Sequence, residues 1–207
     1  MTIMDTTTPN HHEPIPVNRF ALFSETLLAG LLVLVLSAPL VTIPAAYAAG
    51  IAHLERHLEG RDDSVRGLWG TFRAALPGSW KLGLMTTAAA VVIVLNLLLA
   101  WVGQLPGREV VLPATLMLAC CGAILLLRTA AAWSDASEEH SQPREAWKSA
   151  LEFGKALALK DWTGSLLLAG ALLSAVVFVW MLVALFVVVP GTLILAAAAI
   201  KLRARRA

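Results

Sequence analysis

Long apolar stretches alternate with polar segments along the chain. Four of the apolar stretches, over 22–36, 81–102, 110–133 and 164–188, are rich in Leu, Val, Ala and Ile and carry few charges. A helix that crosses a membrane needs about 20 predominantly apolar residues. We therefore predict that these stretches form four membrane-spanning helices.

Two prolines five residues apart interrupt the first unit, in LSAPLVTIPAAYAAG over 36–50. Proline lacks the amide hydrogen of an intrahelical bond and disfavours helix at the preceding residue, so Pro39 and Pro44 predict a break. A helix is predicted to resume over 45–59. An unbroken helix over 20–59 would be about 60 Å long, twice the hydrocarbon thickness. The chain therefore either turns back here or extends one crossing into the cytoplasm.

A similar break is predicted near the C-terminus, in the charge-free stretch 164–200. Pro190 and Gly191 interrupt this stretch, and a short helix over about 192–203 is expected to lead into a basic tail. The predicted fold is all-α: a polytopic membrane helical bundle with about four full spans and two short proline-started helices. Whether the short helices over 45–59 and 192–203 cross the membrane fully stays open.

Two polar segments, 61–80 and 143–159, carry apolar residues at helical spacing. The apolar positions are Val65, Leu68, Trp69, Phe72 and Leu76 in the first, and Trp147, Ala150, Leu151, Gly154, Leu157 and Ala158 in the second. This pattern predicts two amphipathic helices in the membrane interface. For the first segment, packing on other helices of the protein is an equally good interpretation. The acidic segment 134–142 between two of the helices is predicted to be a loop.

The composition agrees with a membrane protein, because only 14% of the 207 residues are charged. A soluble protein usually has about 25% charged residues, which keep its surface solvated. We predict a disordered tail over 1–17, followed by a single integral membrane domain over 18–207 whose main partner is the lipid bilayer. The formal net charge of +2 gives no reason to expect a nucleic-acid partner.

The basic residues predict the topology, since cytoplasmic loops are enriched in Lys and Arg. Five of the sixteen lie within 56–81, five within 128–160 and four within 201–206, whereas the Pro-Gly turn over 103–109 holds only Arg108. This distribution places both polar loops and the C-terminus in the cytoplasm and the turn outside. The predicted location is the cell inner membrane, with several crossings and both termini cytoplasmic.

Four polar residues form the candidate site: Ser37, Thr42 and Tyr47 at the N-terminal break, and Asn96 in the second span. Hydroxyl groups at a break can satisfy carbonyls that proline leaves free, or can line a binding site, as broken helices do in transporters. Asn96 is expected to bond a neighbouring helix, the alternative being a substrate contact.

No enzyme motif is present: the chain lacks a nucleophile elbow, a Walker loop, an HExxH sequence and paired intramembrane carboxylates. We therefore expect no catalytic residue, no cofactor and no metal site. His53 and His57 share a helical face but lack a third ligand, and they are interpreted as a solvated interfacial pair. Arg128 is expected to reach from its span end to the lipid headgroups. Adjacent Cys120 and Cys121 are interpreted as packing residues.

The sequence around the first break resembles the YesL-like family of uncharacterised bacterial integral membrane proteins. The family pattern Ser-x-Pro-x-Val-Thr-Ile-Gly is matched at Ser37, Pro39, Val41, Thr42 and Ile43, whereas Pro44 replaces the glycine. Pro190–Gly191 followed by a short basic-ended helix is also similar to the family. The resemblance implies a context of carbohydrate uptake or use, and it implies no catalytic residue.

Two functions are compatible with these features. The first is an accessory or scaffold protein that packs against a partner membrane complex, such as one for carbohydrate uptake, or against itself. The small-residue segments over 45–50 and 196–199 support it, because such residues let helices approach closely. The second is a small transporter or channel that uses the proline-broken helices as its site.

Overall fold

The computed structural model describes residues 19–61, 64–103, 107–181 and 188–206. In these ranges the chain forms seven α-helices and one short 3-10 helix and no strand: α1 (Arg19–Leu36), the 3-10 helix (Leu40–Thr42), α2 (Ile43–Leu58), α3 (Val65–Trp101), α4 (Arg108–Glu139), α5 (Pro143–Lys160), α6 (Trp162–Met181) and α7 (Val189–Arg206). The predicted all-α helical bundle is confirmed. The predicted tail over 1–17 lies outside the described residues.

The first predicted break is confirmed, and its residues show how it is built. α1 ends at Leu36, and α2 begins at Ile43 with Pro44 in its first turn. Proline is tolerated there because the first amides of a helix have no intrahelical acceptor. The Thr42 hydroxyl donates to the carbonyls of Leu36 (2.5 Å) and Pro39 (2.7 Å). It thereby supplies a donor to the Leu36 carbonyl at the end of α1, where helix carbonyls lack intrahelical partners.

At the C-terminal break, α7 begins at Val189, earlier than predicted. Pro190 therefore lies in the first turn of the helix, as Pro44 does in α2. Residues 182–187, where the chain would reverse, lie outside the described residues. Both short helices thus have a proline in their first turn, where the missing amide hydrogen costs no intrahelical bond.

The helix α2 is the centre of the bundle, since 11 of its 16 residues are buried. Its small residues allow close packing: a Cβ on Gly50 would lie 2.5 Å from Val33 of α1 and 3.2 Å from Ile194 of α7. Ala197 and Ala198 of α7 are also buried. The expectation that the segments 45–50 and 196–199 contact a partner protein is therefore wrong for most of their residues, because this chain buries them itself.

The prediction of a separate amphipathic helix over 61–80 is wrong, because this segment continues into the following span as the single helix α3. Pro77 lies inside it without ending it. One proline removes a single intrahelical bond, whereas the first break has two prolines within six residues. Leu68 and Phe72 are buried, while Trp69 remains 49% exposed. The alternative interpretation, packing on the protein's own helices, is confirmed for the buried side of the stripe.

The predicted acidic loop over 134–142 is mostly helical, because α4 continues to Glu139. The second amphipathic segment is a separate helix as predicted, namely α5, with Ala146, Trp147, Ala150 and Gly154 buried. The indole of Trp147 donates to the carbonyl of Ala75 in α3 at 2.9 Å. α5 therefore packs on the bundle through the face that the sequence indicated.

Three helices are long and apolar enough to cross a membrane, namely α3, α4 and α6, and α1 contains the shorter apolar stretch Leu22–Leu36. In the most apolar 18-residue stretch of each helix, only 6% of the residues of α3 and 11% of those of α4 are buried inside the protein. Where α3 ends and α4 begins, around Trp101 and Arg108, Ala100 and Thr115 are the buried residues among those described. The apolar surface of the pair thus faces outward.

Candidate functional site

The four predicted site residues divide into two that hold the fold together and two that line a groove. Thr42 caps the break, as described above. The Asn96 side-chain amide donates to the Thr115 hydroxyl of α4 at 2.9 Å, and that hydroxyl donates in turn to the Val111 carbonyl. The predicted interhelical bond of Asn96 is confirmed. The two residues bond different partners, and neither lines the groove described next.

Ser37 and Tyr47 line an apolar groove of about 590 Å³. The other residues that line it are Leu34, Ala38, Leu40, Ile43, Ala123, Leu126, Leu127, Leu172, Val189, Pro190 and Leu193. Ser37 Oγ is buried and has no hydrogen-bond partner among the described residues. The first residues of both short helices, Ile43 and Val189, thus line one groove, which we name the break groove.

A second cavity, of about 160 Å³, lies between α4, α5, α6 and α7. Its walls are mostly apolar, but Arg128, Asp135 and Lys201 also line it. We name it the arginine cavity. It shares Leu127 with the break groove, and the groove's Leu172 and Leu193 lie about one helical turn from the cavity's Leu168 and Ala197. The two spaces therefore lie end to end along the contact between α4, α6 and α7.

A third, polar space of about 630 Å³ opens between α2, α3 and α4, which we name the polar cleft. Glu55, Arg56, Glu59, Arg61 and Asp135 contribute its charged lining, together with Glu138. Asp135 lines both this cleft and the arginine cavity. The three spaces thus form a series from the apolar break groove to the polar end of the bundle.

A buried ion-pair network closes the boundary between the arginine cavity and the polar cleft. The Lys201 ammonium lies 2.9 Å from Glu55 Oε2 and 3.3 Å from Asp135 Oδ1, and it donates to Ser134 Oγ at 2.6 Å. The side chains of Lys201 and Glu55 are only 9% and 4% exposed. The network joins α2, α4 and α7, and half of it comes from the segment that was predicted to be a loop.

The interpretation of His53 as a solvated residue is wrong. Its side chain is fully buried, and its Nε2 lies 2.6 Å from Oε1 of Glu25 in α1. His57, four residues later, is partly exposed. Because the Glu25 carboxylate of α1 bonds the His53 ring, the two histidines do not act as a pair. Within the described chain, no three His, Cys, Asp or Glu residues are grouped as metal ligands.

The expectation that Arg128 reaches the headgroups is also wrong, because the residue is only 4% exposed. Its Nη2 donates to the Asp161 carbonyl (3.0 Å), to Asp161 Oδ2 (3.2 Å) and to Ser165 Oγ (3.1 Å). The Gly164 amide, which donates to Oδ1 at 3.0 Å, contributes most to lowering the pKa of the Asp161 carboxyl. Arg128 therefore faces a carboxylate that α6 holds in its ionised form.

The sequence contains one signal that could have predicted the burial of these residues. The signal is a lone charged residue beside a long apolar run. Glu25, Arg128 and Lys201 each lie within or directly beside such a run. A charge in this position is costly in lipid, and it is usually paired inside the protein. The pattern indicates that a partner exists, but the partners lie 28, 33 and 146 residues away.

Comparisons with protein-family models, with curated proteins and with solved structures find no match to this chain.

Proposed function

We propose that this chain is a multi-pass protein of the bacterial inner membrane with both termini in the cytoplasm, related to the YesL-like family. The long apolar helices and the clustering of Lys and Arg in the polar segments support this placement. The buried pairs Arg128–Asp161 and Lys201–Glu55 lie at the end of the bundle where those basic segments meet. An even number of crossings between these segments follows.

This topology predicts where single cysteines can be labelled. Both native cysteines are replaced by serine, and Gly60→Cys or Gly107→Cys is introduced; neither position has an atom near an added Cβ. A membrane-impermeant maleimide applied to intact cells is expected to label position 107 and not position 60. Position 60 should react only after the cells are opened. Labelling of position 60 from outside would contradict the proposed topology.

We propose that the protein is a small transporter or channel that passes a small organic solute along α4. The observation that carries this proposal is the series of three spaces, from the break groove through the arginine cavity to the polar cleft. Ligand sites near proline-broken helices suit a transporter because irregular backbone at membrane depth is tolerated where it lines a cavity.

The Leu127 side chain separates the break groove from the arginine cavity. It lines both spaces and is only 3% exposed. A closed apolar layer between two cavities excludes water and ions in the resting state. A solute would pass when α4 moves away from α6 and α7, which widens the space around this side chain. The size of the Leu127 side chain should therefore control the passage.

Leu127→Ala is expected to raise solute flux, because it joins the two spaces. Purified protein is reconstituted into liposomes loaded with probes that cross bilayers slowly: benzenesulfonate, trimethylphenylammonium or glucose. At least one probe should leave faster from liposomes with the protein than from empty ones, and Leu127→Ala should accelerate that probe further. The substitution also costs about 2–5 kcal/mol of stability, so folding is verified by gel filtration.

Leu118→Ala is the matched control, since Leu118 of α4 is exposed and lines none of the three spaces. It should leave the flux close to that of the original protein, whereas Leu127→Trp should abolish it. Equal release of all three probes from empty liposomes and from liposomes with folded protein would overturn the transport proposal. That result would favour the second candidate.

The second candidate is an accessory protein of a membrane complex, such as one for carbohydrate uptake. The observation that favours it is an exposed apolar surface where α3 ends and α4 begins. The exposed side chains there include Leu95, Leu98, Leu116 and Met117. The small-residue segments that first supported this role are largely buried inside the bundle, so they no longer argue for it. A partner would contact this helix pair rather than α2 or α7.

A further inference from the structure

Arg128 has more hydrogen-bond donors than the protein supplies with acceptors. A guanidinium carries five N–H groups. All three acceptors around Arg128 bond its Nη2, while Nε and Nη1 are buried and have no partner among the described residues. A buried donor without an acceptor destabilises the protein, and more so when the group is charged. The residue lines the arginine cavity, so an acceptor placed there would remove this cost.

The charge of Arg128 is also only partly balanced. Asp161 precedes α6, and its carboxylate accepts from the Gly164 amide and from the Thr163 hydroxyl, both at 3.0 Å. Carboxylates at this position are stabilised by the partial positive charge of the helix N-terminus. The negative charge of Asp161 is therefore shared between Arg128 and α6. Across the cavity, Lys201 is already paired with Glu55 and Asp135.

The remaining walls of the arginine cavity accept an apolar body. Leu127, Phe153, Leu157, Leu168, Ala197 and Ile200 contribute most of them. A cavity of about 160 Å³ is large enough for a ring of six carbon atoms, since benzene occupies an engineered apolar cavity of about 150 Å³ in another protein. A phosphate would leave these walls uncovered, and a sugar would bring hydroxyl groups that the walls cannot bond.

We propose that the arginine cavity binds a small organic monocarboxylate, with the carboxylate on the free donors of Arg128 and the apolar body against the aliphatic and aromatic walls. Arg128 is the anchor of the ligand, and the walls select its size. This assignment names the solute class for the proposed transport path and in that respect rests on it. Binding itself requires no transport, so the two can fail separately.

The experiment measures binding of benzoate to the full chain in mild detergent by isothermal titration calorimetry and by the thermal unfolding midpoint. Benzoate is expected to bind and to raise the midpoint, whereas benzamide, which has the same ring but no charge, should do neither. Decanoate should not bind because its chain exceeds the cavity. Binding of decanoate in place of benzoate would show a lipid-like ligand and would contradict the proposal.

Two variants test the two halves of the site. Arg128→Gln removes the charge and should weaken benzoate binding by about tenfold or more, as expected for a charge-assisted hydrogen bond. This variant also leaves the Asp161 carboxylate without its arginine partner. Ala197→Leu is therefore an independent test, because it fills the cavity and leaves the Arg128 contacts in place. It should abolish benzoate binding, while Ala88→Leu on the exposed face of α3 should not change it.

If the protein is folded and its unfolding midpoint is the same in benzoate, in benzamide and in buffer alone, the cavity holds water only. That result would overturn the proposal. Equal binding of benzoate to the original protein and to Ala197→Leu would place the ligand elsewhere, with the same consequence. If benzoate binds as expected but no probe crosses the liposome membrane, the site stands and the transport proposal falls.

Discussion

Lys201→Ala is expected to lower the free energy of unfolding by about 3–5 kcal/mol, because it leaves the buried carboxylate of Glu55 without its lysine partner. The two side chains are only 9% and 4% exposed, and the ammonium also bonds Ser134 and Asp135. One substitution thus removes contacts among three helices. The thermal unfolding midpoint in mild detergent measures the effect, with chemical unfolding as a second measurement.

Lys148→Ala is the matched control, since Lys148 forms its ion pair with Glu145 on the exposed face of α5. A solvent-exposed pair contributes little to stability, so this midpoint should barely move. The double variant Glu55→Gln and Lys201→Met should recover much of the lost stability, because it removes both buried charges. A Lys201→Ala variant as stable as Lys148→Ala would mean that the network contributes nothing to the fold.

Gly83→Ala is expected to destabilise the protein by about 3 kcal/mol or more, which is at the upper end of the usual cost of overpacking. A Cβ at this position would collide with the backbone carbonyl of Val41 in the 3-10 helix. Backbone cannot move aside as a flexible side chain does, so α3 must shift away from the break. The loss of folded protein on gel filtration and a lower unfolding midpoint would report this shift.

Gly170→Ala on α6 is the control, because nothing lies within 4 Å of an added Cβ there. Alanine also favours helix over glycine by up to about 1 kcal/mol, so this variant should be as stable as the original or slightly more so. Equal effects at the two positions would contradict the close packing of α3 on the break. The comparison separates a steric clash from the general effect of the added methyl group.

The helices themselves were largely predictable, because they depend on local sequence. The apolar runs predicted α1, α4 and α6, and two prolines within six residues predicted the end of α1. The predicted helix boundaries were wrong where a single proline or a few acidic residues suggested an end and the helix continued. A single proline, Pro77, did not separate the amphipathic segment from its span, and the acidic residues after Trp133 did not end α4.

The candidate site was predictable only in part. Thr42 and Asn96 have the bonding roles that their positions indicated, since a hydroxyl at a break and an amide inside a span each need an acceptor or donor nearby. The arginine cavity and the Lys201 network were not predicted. Their residues look like span ends in the sequence, where solvent or headgroups are the expected surroundings.

The sequence by itself determined that this protein is a helical bundle with long apolar helices, two short helices with a proline in the first turn, and basic polar segments. Hydrophobic periodicity and proline determine these features because they act within a few residues of the chain. Only the tertiary structure decided that α2 is the buried centre, that Arg128 and Lys201 point inward, and that three spaces lie in series along α4. These features depend on contacts between residues up to 146 positions apart, which local patterns do not encode.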